Sequence, residues 1–245
     1  MDNSEAVFHN KFKERLTKRE RQVGIWSNLA SNISSEILSF AGFDWVLFDM
    51  EHAPNDIHSL ITQLQAMKGR GTSPIVRPVW NDVVEIKRLL DIGFHNFIVP
   101  FVQNVDEAKQ AVSSVRYPPR GRRGVSVGAR GSSYGYTKNY WHKIEDQIGL
   151  VVQVETLEAL DNIKEIFSVD GIDGIFVGPS DLAASMGHRA DTGNPVVQKK
   201  LADIADMCNK INAPVGILAT DGPDGQKYFD MGYTFVGMGS DSGLF

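Results

Sequence analysis

The chain is 245 residues long and 42% hydrophobic, enough to bury a sizeable core and the usual size of one (β/α)8 barrel or of two small domains. A net charge of -5 argues against nucleic acid as a partner, because a phosphate backbone calls for a basic face, whereas a small anion needs only a local cation. The single cysteine, Cys208, allows no internal disulfide and suits a reducing cytosol; no stretch is apolar enough to span a membrane or to serve as a secretion signal, so the expected location is cytoplasmic.

Taken in order, residues 1–21 are polar and charged, with Phe12 and Leu16 four apart, and predict an N-terminal extension with a short helix. An alternation then begins. Residues 22–26 read as a first strand and 33–40 as a helix ended by Gly42; 45–49 read as a second strand and 56–68 as a helix ended by Gly69 and Gly71. A third strand over 74–77 leads to a helix over 83–90 capped by Asn81 or Asp82. A fourth over 96–99 leads to a helix capped by Asn104 and running to 115. The pattern stalls at residues 117–140, where Pro118, Pro119 and five glycines predict a long functional or packing loop. It resumes with a strand over 149–155, a helix to 167, a strand over 174–177 and helical segments from 182 and over 196–212. A strand over 214–218, a helix over 226–231 and a strand over 235–238 follow. Eight strands alternating with helices, without a composition break, predict one domain over 1–245: an α/β fold, the parallel eight-stranded TIM barrel, ahead of an open doubly wound sheet. The expected eighth helix has no counterpart after the last strand.

Two stretches carry the chemistry. Val151-Val152-Gln153-Val154-Glu155 and Gly174-Ile175-Phe176-Val177-Gly178-Pro179-Ser180-Asp181 are apolar runs suited to strands buried on both faces, and each ends in a carboxylate. Parallel barrel strands bring their C-terminal ends together, so Glu155 and Asp181 can share one metal ion. Strand two delivers Asp49, Glu51 and His52 to the same end, strand three Arg77, and the two acidic strands add Gln153 and Ser180. No predicted strand carries a lysine, which argues against Schiff-base chemistry. Few carboxylates, without cysteine or clustered histidine, favour Mg2+ or Mn2+ over structural zinc. Structural readings stand beside these: Asp181 as a helix cap, His52 as an ordinary surface or core histidine, Arg77 as a salt-bridge partner of Asp49 or Asp91. The basic run 116–123 lacks stacking aromatics and reads as a loop that packs or pairs with acids, anchored by Tyr140-Trp141. Gly237-Met238-Gly239-Ser240-Asp241 is similar to a barrel phosphate turn.

The segments Phe43-Asp44-Trp45-Val46-Leu47-Phe48-Asp49-Met50-Glu51-His52-Ala53-Pro54-Asn55, Val76-Arg77-Pro78-Val79-Trp80-Asn81-Asp82, Lys87-Arg88-Leu89-Leu90-Asp91-Ile92-Gly93, Arg116-Tyr117-Pro118-Pro119, Arg123-Gly124-Val125, Gln153-Val154-Glu155 and Gly178-Pro179-Ser180-Asp181-Leu182 stand in order and at consistent spacing. Together they resemble the class II pyruvate aldolases of the HpcH/HpaI family, from about Gln22 to the end. The resemblance implies that Glu155 and Asp181 hold a divalent ion, Mg2+ first with Mn2+ or Co2+ as alternatives. It further implies that Gln153, Gly178, Pro179 and Ser180 contact a 2-oxo acid. Arg77 would face its ketone oxygen, and His52 would be the general base, made more basic by Asp91 and assisted by Asp49. The reaction implied joins or separates pyruvate and an aldehyde through a metal-stabilised enolate, the substrate being a 2-keto-3-deoxy sugar acid or a related 4-hydroxy-2-oxo acid. Decarboxylation of a 2-oxo acid such as oxaloacetate at the same site is an alternative, and a non-catalytic anion-binding barrel subunit is another. The family also forms hexamers, trimers of dimers that exchange a C-terminal helix, so the missing helix puts the assembly in question. Choice of aldehyde is expected from the 121–140 loop, where Arg130 would meet a distal carboxylate, and from Trp26.

Overall fold

The apolar runs become strands that close on themselves. A computed structural model describes residues 9–244, and in it eight parallel strands pair in sequence order around a closed barrel, with helices between them. The strands are β1 (Gln22–Ser27), β2 (Trp45–Asp49), β3 (Ser73–Arg77), β4 (Asn96–Val99), β5 (Gly149–Val154), β6 (Gly174–Val177), β7 (Val215–Ala219) and β8 (Phe235–Ser240). β1 pairs with both β2 and β8, which seals the ring and leaves no sheet edge. The doubly wound alternative is thereby excluded.

The connecting helices start where side-chain caps satisfy their first N–H groups. Asp56 and Ser59 form a reciprocal capping box at α3 (Ile57–Ala66), after α2 (Asn32–Phe40). Asp82, rather than Asn81, accepts from Val84 and Glu85 at α4 (Val83–Ile92), and Asn104 caps α5 (Val105–Val115). The single helix expected up to 167 is two short ones after the turn α6 (Tyr140–Lys143): α7 (Leu157–Asp161) and α8 (Ile163–Phe167). Asn162 separates them with its side chain turned to the Gln103 carbonyl, a long-range bond made where one helix ends and the next begins. α9 (Pro179–Ser185), α10 (Pro195–Lys210) and α11 (Gly222–Met231) complete the set, and β8 runs into a 3-10 turn at Ser242–Leu244.

The core has two layers. Outside the barrel, Phe48, Leu89, Val152, Ile204 and their neighbours seal strands to helices. Inside it, Trp26, Trp45, Leu47, Ile75, Phe176 and Phe235 fill the lumen. The Trp45 ring reaches across to β1, where a Cβ at Gly24 would lie 2.0 Å from it, so only glycine fits there. The N-terminal helix α1 (Lys11–Thr17) buries Phe12 and Leu16 in the same lumen cluster, with Phe12 edge-on to Trp45 and Phe235, and so plugs the end of the barrel where the strands begin. Catalytic groups are thereby left the opposite, C-terminal end.

The loop between α5 and β5 differs from expectation in its position. It joins a helix end to a strand start, so it runs beneath the barrel at the N-terminal face. Arg130 lines a hollow there with His95, Asn96 and Pro74 at the start of β3 and β4, and donates to the Ile92 carbonyl at the end of α4 at 2.6 Å. Within this chain Arg130 is a helix cap and does not face the C-terminal mouth, and the loop is not positioned to choose an aldehyde there. The basic run in this loop does pair with acids: Arg116 with Asp170 at 2.9 Å and Arg120 with Glu145, while Arg123 is buried over the Tyr117 ring and donates to Tyr140.

Candidate active site

Strand register assembles the first half of the site. Asp49 and Arg77 end adjacent strands as direct partners, and the Asp49 carboxylate accepts from Arg77 Nε at 2.8 Å and from Nη2 at 2.7 Å. This two-point grip fixes the guanidinium plane at the barrel mouth, above the Trp26 ring. Of the two partners weighed for Arg77, the structure selects Asp49. Its remaining terminal nitrogen, Nη1, lies 3.0 Å from Glu51 Oε2. His52 follows Glu51 at the exposed rim, with Nε2 3.8 Å from the same Glu51 oxygen.

The second half comes from β5 and β6. Val154 and Val177 are register partners, so the residues one step on, Glu155 and Gly178, leave the barrel side by side. Glu155 is buried; its Oε1 accepts from the Phe101 N–H at 2.9 Å and its Oε2 from the Gln153 amide. Burial and then the like charges of Asp181 and Glu51 push the Glu155 carboxyl up to about 7, against the opposing pull of these hydrogen bonds. Asp181 sits in the first turn of α9, where Gly178 is the N-cap and no side chain caps the helix, so Asp181 is not acting as the cap. Its charge reaches both Glu155 and Glu51. Ser180 and Pro179 open onto a hollow of about 480 Å3 that continues past Trp26, Asn28 and Thr220.

Asp91 is placed elsewhere. It lies in the last turn of α4 beside Lys87 and Arg123, whose charges oppose the rise in proton affinity caused by its burial. The charged neighbour of His52 in this chain is Glu51. The Gly237–Asp241 turn is also occupied from within. The buried Asp241 carboxylate accepts from the Asn28 N–H and the Ser34 hydroxyl, both at 2.8 Å.

Two contributors escaped the sequence reading. Glu51 stood among the residues that strand two delivers but carried no assigned role; its position directly before His52 was the available signal. Phe101 gave none, since its contribution is a backbone N–H aimed by a left-handed φ of 56° next to Pro100, the kind of strained position that collects at functional sites.

The residues present suit a divalent cation. Glu155 is a buried carboxylate crowded by two other acids, a Cβ at Gly178 would fill the space 2.3 Å from its Oε2, and the buried Gln153 Oε1 has no hydrogen-bond partner. Among the described residues no three His, Cys, Asp or Glu side chains are gathered to hold a metal by themselves. Two hard oxygen donors leave further positions for water or substrate, the usual coordination of Mg2+ or Mn2+. Glu155 and Asp181 are the residues that would hold it.

A parallel barrel that gathers acids, a clamped arginine and a histidine at its C-terminal mouth has its charged groups where barrel enzymes keep their active sites. The sequence profile of the HpcH/HpaI aldolase/citrate lyase family matches residues 22–245, and the chain belongs to that family; it is a carbon–carbon lyase. It is 50% identical to a 5-keto-4-deoxy-D-glucarate aldolase of Enterobacter sp. (strain 638), over 99% of this chain and 94% of the relative. A protein of the same description from Klebsiella pneumoniae is 47% identical over 100% of this chain and 95% of its own length. A crystal structure of an HpcH/HpaI aldolase/citrate lyase family protein from Burkholderia cenocepacia J2315 superposes with a TM-score of 0.93 at 34% identity, covering 96% of this chain and 94% of that one. Among the described residues no helix is long and apolar enough to cross a membrane.

Proposed function

We propose that this chain is a divalent-metal-dependent aldolase that cleaves 5-keto-4-deoxy-D-glucarate, or a closely related 4-hydroxy-2-oxo diacid, into pyruvate and an aldehyde. The observation that carries the reading is the placement of Glu155 and Asp181 within electrostatic reach of the Asp49–Arg77–Glu51 group at one barrel mouth. Relatives 50% and 47% identical to it bear that aldolase's name over nearly their whole lengths.

Retro-aldol cleavage needs two things: a proton acceptor for the 4-hydroxyl and an electron-withdrawing environment at the 2-oxo group. Asp49 takes Nε and Nη2 of Arg77 and leaves Nη1 facing Glu51 at the mouth, and the guanidinium would hold the ketone oxygen there as negative charge collects on it. His52, exposed at the rim, would take the hydroxyl proton directly or through water. The Gln153 amide and the backbone around Ser180 would orient the substrate carboxylate, and Trp26 would exclude water from beneath it. A divalent ion between Glu155 and Asp181 would supply Lewis-acid stabilisation of the developing enolate. Charge supports the need for it: the carboxylates of Asp49, Glu51 and Glu155 act on one guanidinium and Asp181 adds a further negative charge beside Glu51, so an anionic diacid would otherwise be repelled. The family resemblance extends the proposal to a homo-oligomeric assembly.

The test is a coupled assay for pyruvate release from 5-keto-4-deoxy-D-glucarate and from oxaloacetate, using metal-stripped protein with Mg2+, Mn2+ or Co2+ restored singly. Activity is expected only with metal and with the sugar diacid preferred, and His52→Ala is expected to lose about 10²- to 10⁴-fold in rate. Full activity in chelator, or trapping of pyruvate on a lysine by borohydride, would overturn it.

A further inference from the structure

Glu51 is a carboxylate with an unusual set of contacts. Its backbone N–H is tied to Asp49 Oδ1 at 3.0 Å, which turns its side chain over the same rim. That side chain is mostly buried at 16% exposure, and its Oε2 accepts no hydrogen bond of good geometry. A buried anion without hydrogen bonds weakens a fold unless a charge holds it there. The groups beside it are the Arg77 guanidinium, with Nη1 at 3.0 Å, and the His52 ring, with Nε2 at 3.8 Å. The arginine therefore sits between two acids: Asp49 takes Nε and Nη2, and Glu51 faces Nη1. The histidine, 65% exposed at its side chain, otherwise projects into solvent, where an unrestrained ring samples several rotamers.

We infer that Glu51, itself held in place by the outer edge of Arg77, is a positioning residue that restrains His52 over the barrel mouth, so that proton acceptor and oxyanion donor keep one relative geometry. The inference rests on the aldolase reading above. It assigns Glu51 neither to the metal nor to the substrate. Its burial raises its proton affinity, and the nearby Asp181 and Asp49 charges add to that, so the pairing with Arg77 is what keeps a charge in place. Loss of that charge should act through His52, at a magnitude typical of groups that orient a catalytic residue, about 10- to 100-fold.

A double-mutant cycle tests it, with Glu51→Gln and His52→Ala made singly and together and assayed for metal-dependent pyruvate release. Glu51→Gln is expected to lower kcat by about 10- to 100-fold. KM, Mn2+ affinity and thermal midpoint should stay near those of the parent. In the His52→Ala background the same change is expected to cost less than about twofold, because the residue it positions is gone. Glu51→Asp, which keeps the charge on a shorter stem, is expected to recover part of the lost kcat. Equal losses in both backgrounds overturn the positioning role, as does a fall in Mn2+ affinity or thermal midpoint that accounts for the lost rate. A parent protein that releases no pyruvate with any divalent metal overturns the aldolase reading and this role with it, whereas an active parent with additive variants overturns this role alone.

Discussion

Position 178 shows how closely the candidate site is fitted at the level of single atoms. A Cβ there would lie 2.3 Å from Glu155 Oε2 and 3.0 Å from Gln153 Nε2, and Glu155 is held on its other side by the Phe101 N–H, so it has little room to retreat. Gly178→Ala is expected to displace the carboxylate and weaken Mn2+ binding by about 10-fold or more, with only a small fall in thermal midpoint, since the backbone at 178 is ordinary extended chain. Titration calorimetry checks this, and unchanged affinity would remove Glu155 from the metal site. Sequence made Glu155, Asp181, His52 and Arg77 visible because acids and cations ending apolar runs stand out against their neighbours. Relations between them were less visible. Asp49 and Asp91 were equal candidates for Arg77 until strand register joined Asp49 to it, and Asp91 left the neighbourhood of His52 because α4 carries it toward Arg123. Such choices depend on distances through space, which spacing along the chain does not contain.

Among the elements, α1 has the clearest energetic role. Phe12 is fully buried and meets Trp45 and Phe235 edge-on, so truncation leaves a hole at the base of the lumen with rigid aromatic walls. Phe12→Ala is expected to cost about 3–5 kcal/mol of stability, read from urea unfolding, while the KM of the surviving folded fraction stays unchanged because the site is at the opposite end. A cost below about 1 kcal/mol would mean that the helix is not the plug. The strands over Trp45–Asp49, Asn96–Val99 and Gly174–Val177 were legible residue for residue, since uninterrupted apolar runs bounded by turn formers leave little choice. The interrupted helix at Asn162 was not, because the Gln103 carbonyl that draws its side chain away lies far off in sequence. Nor was the role of the 117–140 loop. Its composition announces a loop, but only closure of the barrel places it on the N-terminal face, with Arg130 capping α4 instead of approaching a substrate.

For the molecule as a whole, the barrel sets its core, its plug and its chemistry in separate zones, and this separation lets the mouth concentrate charge that a packed interior would not tolerate. Asp49, Glu51 and Glu155 act on a single Arg77 there, with Asp181 beside Glu51 and Glu155, although the chain overall is only mildly acidic. The consequence is a dependence on pH that metal should remove. Glu155 binds its proton up to about 7 in the folded protein because of burial and its acidic neighbours, against an ordinary value of 4.5. Between those values the metal-free native state holds a proton that the unfolded chain has released. This contribution is therefore complete below about pH 4.5 and is lost as pH rises through about 7, an effect on the order of 3 kcal/mol. Glu51, raised in the same direction by its own burial, adds to it. A divalent ion requires the deprotonated carboxylate and so competes with that proton. Mn2+ affinity should therefore climb from pH 6 to pH 7, by up to about 10-fold per unit, and level off above it, while metal-stripped protein becomes less stable over the same interval. Glu155→Gln should abolish the trend in Mn2+ affinity and reduce the trend in stability to the part that Glu51 contributes, having no proton to lose and one fewer anionic ligand to offer. Calorimetric titration with Mn2+ at pH 6, 7 and 8, beside urea unfolding of the metal-free protein at the same pH values, gives both readings, and an affinity flat across that range would show that the ion does not bind at Glu155.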